Sequence, residues 1–345
     1  MAEYRVESFT PREAPIAEFF ALPQRIDGLS DQQARAEAAG TRALLDPGNT
    51  FYRNADSRSF VVRRGGTAVG RLTAFHNRLL AGEHRRFGLV GLFVCENDTA
   101  AARALIDAAS AWLGEQGLDA IRGPMAGDIW HRWRFMTRGF ATAPFPGEPR
   151  NPDYYPELYN ACGFAAVRTF STKTVVDLEG QLALLSVAAD LNARRGYRYR
   201  SIEAAAWELE LRHVYELCRH SFASHWSVSE STFEEFADIY NRWLKRCGPD
   251  NIVLAVDSRS SVVGLGLSML GPADTLNIRT IAVLPHCSGF GLGQAIVAEH
   301  YRRAIAAGLK RVQHCLMGPT TPPQFWDRGL GQVTREYAMY ERSTG

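Results

Sequence analysis

The chain has 345 residues, with 46% hydrophobic residues, 22% charged residues and a formal net charge of +2. This length exceeds one typical hydrophobic core and predicts two globular domains. The near-neutral charge argues against a nucleic-acid binder and against a membrane-surface protein, so we expect neither as a partner.

The cysteines argue against disulfides and against a metal. All six are scattered, and none forms a C-x-x-C pair or a Cys/His cluster with zinc spacing. The first residues lack the apolar core of a signal peptide, and no run of 18 apolar residues is present. We therefore expect a cytoplasmic protein without a metal, monomeric or homodimeric.

Read in chain order, the same series of predicted elements occurs twice. Each series has a strand, a helix, a hairpin, a further strand and a second helix that ends at a glycine. The hairpins cover 59–75 and 251–267, the strands after them 87–95 and 277–283, and the second helices 99–116 and 294–307. First strands are predicted at 3–9 and 197–203, and first helices at about 11–22 and 207–223. The common order indicates a duplication.

This repeat predicts the domain organisation. We expect an N-terminal domain at 1–176, a linker helix at 177–195 and a C-terminal domain at 196–345. The first copy contains an additional loop at about 125–153, rich in Pro and Gly. A loop of this length in a compact domain is often functional.

Alternating glycines in the second copy indicate a phosphate site. Gly289, Gly291 and Gly293 follow a β-branched run and precede a helical pattern. A glycine turn at a helix N-terminus offers free N–H groups and a positive dipole end. No Lys follows as a P-loop requires, and the spacing differs from the dinucleotide-binding G-x-G-x-x-G. A turn that only packs the helix on the sheet is the other interpretation.

The glycine loop resembles that of the GCN5-related N-acetyltransferases (GNATs). The chain reads Val283-Leu-Pro285 and then Ser288-Gly-Phe-Gly291-Leu-Gly293, with Ser288 where that family usually has Arg or Gln. The resemblance implies acetyl-CoA, or another acyl-CoA, as co-substrate. It implies that the cofactor contacts Ile281, Ala282, Val283, Ser288, Gly289, Phe290, Gly291, Leu292, Gly293, Gln294 and Trp326.

The resemblance also implies an α/β fold class. We expect two tandem acyl-CoA N-acyltransferase domains, each a mixed, mostly antiparallel twisted sheet flanked by helices. In the first copy the corresponding loop is Cys95-Glu-Asn-Asp-Thr99, which has two acids and no glycine. Acids repel phosphate, so we expect a degenerate N-terminal domain that does not hold CoA.

The family reaction is direct attack of an amine on the thioester, which requires a base and commonly a tyrosine acid. We select His225 and Tyr337 as catalytic candidates, with His314 and Tyr340 as further possibilities. Trp326 stands where the family tyrosine is expected. The first copy keeps that tyrosine as Tyr159, which we interpret as a packing residue.

The sequence thus predicts an N-acetyltransferase that transfers an acetyl or other acyl group to a small-molecule or protein amine. A non-catalytic CoA-binding or regulatory protein that lost the general acid is the alternative. A third interpretation is an acyl transferase that uses acyl carrier protein or aminoacyl-tRNA. The aromatic loop segment Trp130-His-Arg-Trp133 is either a contact between the domains or a surface loop packed on itself.

Overall fold

The structure is a computed structural model that describes residues 3–80, 86–223 and 228–344, without the side chain of Arg242. The strands are β1 (Tyr4–Phe9), β2 (Ala55–Arg64), β3 (Thr67–Asn77), β4 (Phe87–Cys95), β5 (Ala120–Gly123), β6 (Phe135–Arg138), β7 (Ala165–Val175), β8 (Arg198–Ser201), β9 (Ile252–Val256), β10 (Val262–Gly271), β11 (Thr275–Val283), β12 (Arg311–Met317) and β13 (Gln332–Ser343). The α-helices are α1 (Ala17–Ile26), α2 (Asp31–Leu44), α3 (Thr99–Glu115), α4 (Tyr155–Ala161), α5 (Leu178–Arg194), α6 (Trp207–Ser221), α7 (Phe233–Cys247) and α8 (Leu292–Ala306).

The predicted repeat is present as two similar halves of one sheet. In each half an antiparallel series ends in a parallel pair, β4 with β5 and β11 with β12. The predicted fold class, a mixed and mostly antiparallel sheet flanked by helices, is confirmed. The predicted helix at 11–22 begins only at Ala17, because Pro15 has no N–H and restricts the residue before it to extended conformations.

The halves exchange their last long strands. The sheet order is β1-β2-β3-β4-β5-β13-β7-β12-β11-β10-β9-β8, with β6 paired to β13. The final strand of the chain therefore pairs with β5 of the first half, and β7 of the first half pairs with β12 of the second. The predicted division at 176 and 196 stays a prediction, and β13 joins segments from both sides of it.

Alternating side chains on β7 and β13 show which helices share a face of the sheet. Phe170 pairs with Tyr337 and lies with it in the core that contacts α1. Val175 has the opposite orientation and packs with α8, and Ala338 packs with α3. The helices α3 and α8 thus cover one face, whereas α1, α2, α6 and α7 cover the other.

The helix between the halves is part of the second half's structure. α5 packs along α8 in a shared core. Its buried Asn192 side chain donates to the carbonyl of Phe290 at 3.0 Å, and Gln181 donates to the carbonyl of Trp326 at 2.9 Å. The predicted linker helix therefore fixes two loops of the candidate cofactor site.

Because β13 completes the first half, its side chains should determine that half's stability. Tyr340 is 4% exposed and contacts the rings of Phe135 and Tyr159. We expect Tyr340→Ala to lower the free energy of unfolding by about 3–5 kcal/mol. Urea unfolding followed by tryptophan fluorescence measures this change. Val333→Ala, at an exposed site on the same strand, should change it by less than about 0.5 kcal/mol, and equal effects would contradict the packing.

Candidate functional site

The strands of the second parallel pair separate partway along their length. β11 and β12 pair from Thr275 to Ile278, opposite Arg311 to His314. Further along, β12 stays with β7, while β10 is the one described strand that pairs with residues 279–283, and the Val283 carbonyl accepts from the Ser221 hydroxyl at 2.9 Å. One side of the backbone before Val283 is therefore open to an extended ligand, as in strand addition to a sheet edge.

The glycine loop leaves the first turn of α8 uncapped. Gly289 and Gly291 have φ of +85° and +78°, in the left-handed region that favours glycine. Gly291 is the N-cap residue, and no side chain among the described residues accepts from the first N–H groups of the helix. These groups and the positive end of the dipole point out of the helix, as at anion-binding sites.

The predicted cofactor residues lie together, with one exception. Ile281–Val283, Ser288, Gly289, Gly291–Gln294 and Trp326 line one cavity. A Cβ on Gly293 would lie 2.8 Å from the Trp326 ring, so the close approach of this ring to the α8 backbone requires glycine at 293. Phe290 is 57% exposed, lies outside the cavity lining and has the guanidinium of Arg195 5.2 Å from its ring. The role of these predicted residues in cofactor binding stays a prediction.

In the first half the same crevice is filled by the chain itself. β4 and β5 also separate, after Leu89. The carbonyl of Val90 accepts from the N–H of Met125 at 2.8 Å. The N–H of Cys95 donates to the Tyr155 hydroxyl at 3.1 Å, and the Tyr154 hydroxyl donates to the Cys95 carbonyl at 2.9 Å. A ligand would have to displace these bonds before it could pair with β4.

The phosphate position of the first half is also occupied. The Asp98 carboxylate accepts from the N–H groups of Ala100 and Ala101 at 3.0 and 3.1 Å and thereby caps α3. Arg64 pairs with the same carboxylate at 2.6 Å. A carboxylate thus fills the place where a phosphate would accept these bonds, in contrast to the open N-terminus of α8.

The long first-half loop closes the cavity from the side of α6 and α7. The cavity has a volume of about 2260 Å³ and is lined by residues of both halves. Trp130 packs edge-on against Phe222, Phe236 and Tyr240 of the second half. Of the two interpretations of this segment, the structure therefore supports the contact between the halves.

Of the two catalytic candidates, the structure describes Tyr337. His225 lies outside the described residues, although Ser221 and Phe222 just before it line the cavity. Tyr337 is fully buried, is absent from the cavity lining and donates its hydroxyl to the Glu148 carboxylate. Both catalytic assignments stay predictions, and Tyr337 has the contacts of a residue that positions Glu148.

The other two titratable candidates are in the interior. The His314 Nε2 lies 2.8 Å from the Tyr301 hydroxyl, and burial lowers the pKa of His314 to about 4. Tyr340 lies in the first-half core, where burial raises its pKa. Neither environment favours proton transfer near neutral pH.

Sequence reasoning missed two cavity arginines, Arg134 and Arg279. Burial lowers the pKa of each, and the positive charge of Arg279 lowers that of Arg134 further. Both were single arginines in a loop and a strand. No local pattern distinguishes them from exposed arginines, because the cavity they line forms only when the two halves meet.

Two curated proteins resemble the chain in sequence, and no family model matches it. The bacterial ceramide synthase of Caulobacter vibrioides is 26% identical over 234 residues, which cover 66% of this chain and 59% of that protein. Protein YghO of Escherichia coli is 24% identical over 220 residues, which cover 60% and 54%. The chain matches little more than half the length of either relative.

Several solved structures resemble the whole chain. A probable N-acyltransferase from Enterococcus faecalis has a TM-score of 0.61 at 12% identity and covers all of this chain and 73% of that one. A tandem GNAT protein from the clavulanic acid biosynthesis pathway has a TM-score of 0.56 at 13% identity, with 99% of each chain covered. A GCN5-related N-acetyltransferase from Sphaerobacter thermophilus has 0.54 at 16% identity, covering 99% of this chain and 96% of that one. The chain therefore has the fold of the GCN5-related N-acetyltransferases in its tandem form.

Two features are absent from the described residues. None of the helices in residues 3–80, 86–223 and 228–344 combines the length and apolar character needed to cross a membrane. Within the same ranges, no three His, Cys, Asp or Glu side chains are grouped so that they could hold a metal ion.

The neutral, buried state of His314 predicts a pH-dependent stability. The unfolded state binds a proton below about pH 6.5, whereas folded His314 does so only near its pKa of about 4. The free energy of unfolding should therefore fall as the pH decreases from 6.5 towards 4. Gln cannot titrate. Between pH 7.5 and 4.5 we therefore expect the free energy of unfolding of His314→Gln to fall by about 2–3 kcal/mol less than that of the unchanged protein. Urea unfolding at both pH values measures this, and equal losses in both proteins would contradict it.

Proposed function

We propose that this protein is an acyl-CoA-dependent N-acyltransferase whose cofactor binds only in the second half. The observation that carries the proposal is the open strand edge at Arg279–Val283 beside the uncapped N-terminus of α8. The first N–H groups of α8 and the loop 288–291 bind the pyrophosphate of CoA. The edge at 281–283 pairs with the amide groups of the pantetheine arm.

The chemistry requires little covalent participation by the protein. An N–H of the open edge donates to the thioester carbonyl and stabilises the oxyanion that forms when the amine attacks. The amine enters from the α6 and α7 side, where the long loop excludes water. In this proposal His225 takes up the ammonium proton, directly or through water. The oxyanion then collapses, the C–S bond breaks, and CoA leaves as a thiolate that water protonates.

The cavity supports an acyl chain longer than acetyl. Its volume of about 2260 Å³ is above the usual 300–1,000 Å³ of small-ligand pockets. The curated relative from Caulobacter vibrioides is named a bacterial ceramide synthase. We therefore propose a long-chain fatty acyl-CoA as donor and a small-molecule amine as acceptor.

A CoA-binding protein without catalytic activity is the competing function. It is favoured by Trp326, which stands at the place of the family's acid, and by the burial of Tyr337. Release of CoA thiol in the presence of an amine separates the two functions, because a non-catalytic protein binds acyl-CoA without turnover.

The cofactor assignment predicts the effect of Gly291→Asp. The variant brings a carboxylate against the pyrophosphate and a Cβ to 3.1 Å from Ala188. We expect the affinity for acetyl-CoA to fall about 100-fold or more, since opposed like charges cost several kcal/mol. Isothermal titration calorimetry measures the affinity and should give one site per chain in the unchanged protein.

Gly308→Asp is the matched control. Gly308 has a similar φ of +71°, has open space for a Cβ and lies at the opposite end of α8. It should bind acetyl-CoA like the unchanged protein. Absence of binding in the unchanged protein, or equal loss in both variants, would contradict the loop assignment.

The acyl-length proposal predicts a preference between donors. Calorimetry should show tighter binding of palmitoyl-CoA than of acetyl-CoA by at least about 10-fold, because each buried CH₂ contributes about 0.8 kcal/mol. Below its critical micelle concentration, palmitoyl-CoA is a suitable titrant. Equal affinities for the two donors would limit the donor to acetyl-CoA.

A further inference from the structure

Arg134 is a half-buried cation without an acidic partner. Its guanidinium carbon lies 3.3 Å from the ring centroid of Trp133 and 4.1 Å from that of Phe170. Among the described residues, no hydrogen bond or ion pair reaches this side chain, and its buried Nε has no acceptor. Its φ of +76° lies in the left-handed region, a strained conformation typical of functional positions. Since Arg134 lines the cavity, its free N–H groups are available to a ligand there.

Arg279 is located where β11 leaves β12. It directly follows Ile278, the last paired residue, and lies against Trp243 of α7 with 5.0 Å to the ring centroid. One of its N–H groups donates to the carbonyl of Pro146 at 3.1 Å. Its side chain therefore lies on the α7 face of the sheet, next to the open edge and opposite α8.

The surroundings of the two arginines do not neutralise them. The nearby acid is Glu148, which pairs with Arg335 at 3.2 Å and accepts from Tyr337. Three arginines and one glutamate leave two positive charges in a partly buried group at the cavity wall. Since partial burial of a charge without a counter-charge is unfavourable, a bound anion would stabilise the site.

We propose that Arg134 and Arg279 form a subsite for an anionic group, a carboxylate or a phosphate, that the amine acceptor carries. The inference rests on the proposed function and narrows its acceptor class. The phosphates of CoA lie at α8, on the other face of the sheet, so the acceptor is the source of this anion. When Arg279 binds the anionic group of the acceptor, the amine of the acceptor lies next to the edge that holds the thioester.

The subsite is tested with inorganic phosphate and, separately, with acetate. Each is titrated into protein saturated with CoA, and thermal unfolding is compared with sodium chloride at equal ionic strength. We expect a saturable rise in Tm with at least one anion, and whichever binds identifies the group as phosphate or carboxylate. Arg134→Met and Arg279→Met should raise the half-saturating concentration at least about 10-fold, because hydrogen bonds to charged groups contribute about 1.5–3 kcal/mol.

Arg259→Gln is the control, since Arg259 is exposed in the turn between β9 and β10 and outside the cavity lining. It should respond to anions like the unchanged protein. Arg134→Met should also fold, because it removes an unpaired half-buried charge, and circular dichroism checks this. No saturable rise beyond sodium chloride, or equal responses of both Met variants and the unchanged protein, overturns the subsite.

Pairs of amines with and without an anionic group test whether the acceptor supplies the anion for the subsite. Thiol release is compared for O-phosphoethanolamine against ethanolamine and for β-alanine against propylamine. We expect kcat/KM to favour one anion-bearing amine at least about 10-fold, and Arg134→Met to remove the preference. Equal use of the neutral amine overturns the assignment to the acceptor. Failure of the proposed function is distinguishable, because no amine then releases thiol from acyl-CoA, whereas the anion titration still reports on the arginine pair.

Discussion

The central constraint in this structure is the satisfaction of backbone hydrogen-bonding groups where the paired strands separate. In the first half, Tyr154, Tyr155 and Met125 satisfy the open groups of β4, and Asp98 caps the adjacent helix. In the second half the helix end has no side-chain cap among the described residues. The Val283 carbonyl at the end of the corresponding edge accepts from the Ser221 hydroxyl at 2.9 Å, whereas the rest of that edge pairs with no described strand except β10. Since unpaired backbone groups are costly, the same fold gives one closed crevice and one that gains by binding a ligand.

The exchange of strands explains why both halves are needed although the proposed cofactor site lies in one of them. β13 and β7 pair in the middle of the sheet, so the two cores share a boundary. The loop at 125–153 then lies over the second half, where Trp130 packs against Phe222 and Phe236. The cavity wall opposite the proposed cofactor site is thereby built from the first half.

Local signals in the sequence account for what could be predicted. The glycines at 289, 291 and 293, the β-branched run before them and the repeated element order are short-range features. Through the family resemblance that they carry, they predicted the fold and the position of the glycine loop at a helix N-terminus. The pairing of β13 with β5 was not predictable, because strand partners distant in sequence leave no local pattern. The same holds for Arg134 and Arg279, which acquire their environment only from tertiary packing.

The sequence located Tyr337 on a strand but could not give the direction of its hydroxyl. Strand alternation allows either face, and the structure directs this hydroxyl to Glu148 in the interior. Trp326 was predicted to contact the cofactor, and this contact stays a prediction. Its ring lies against Gly293 of the glycine loop.

Amide hydrogen exchange with and without acetyl-CoA tests most directly the claim that only one crevice is open. Exchange is followed by mass spectrometry over peptides that cover 279–294 and 90–101. The account predicts that acetyl-CoA slows exchange in 279–294 and leaves 90–101, already satisfied by Tyr155 and Asp98, unchanged. Protection of 90–101, or none in 279–294, would contradict it.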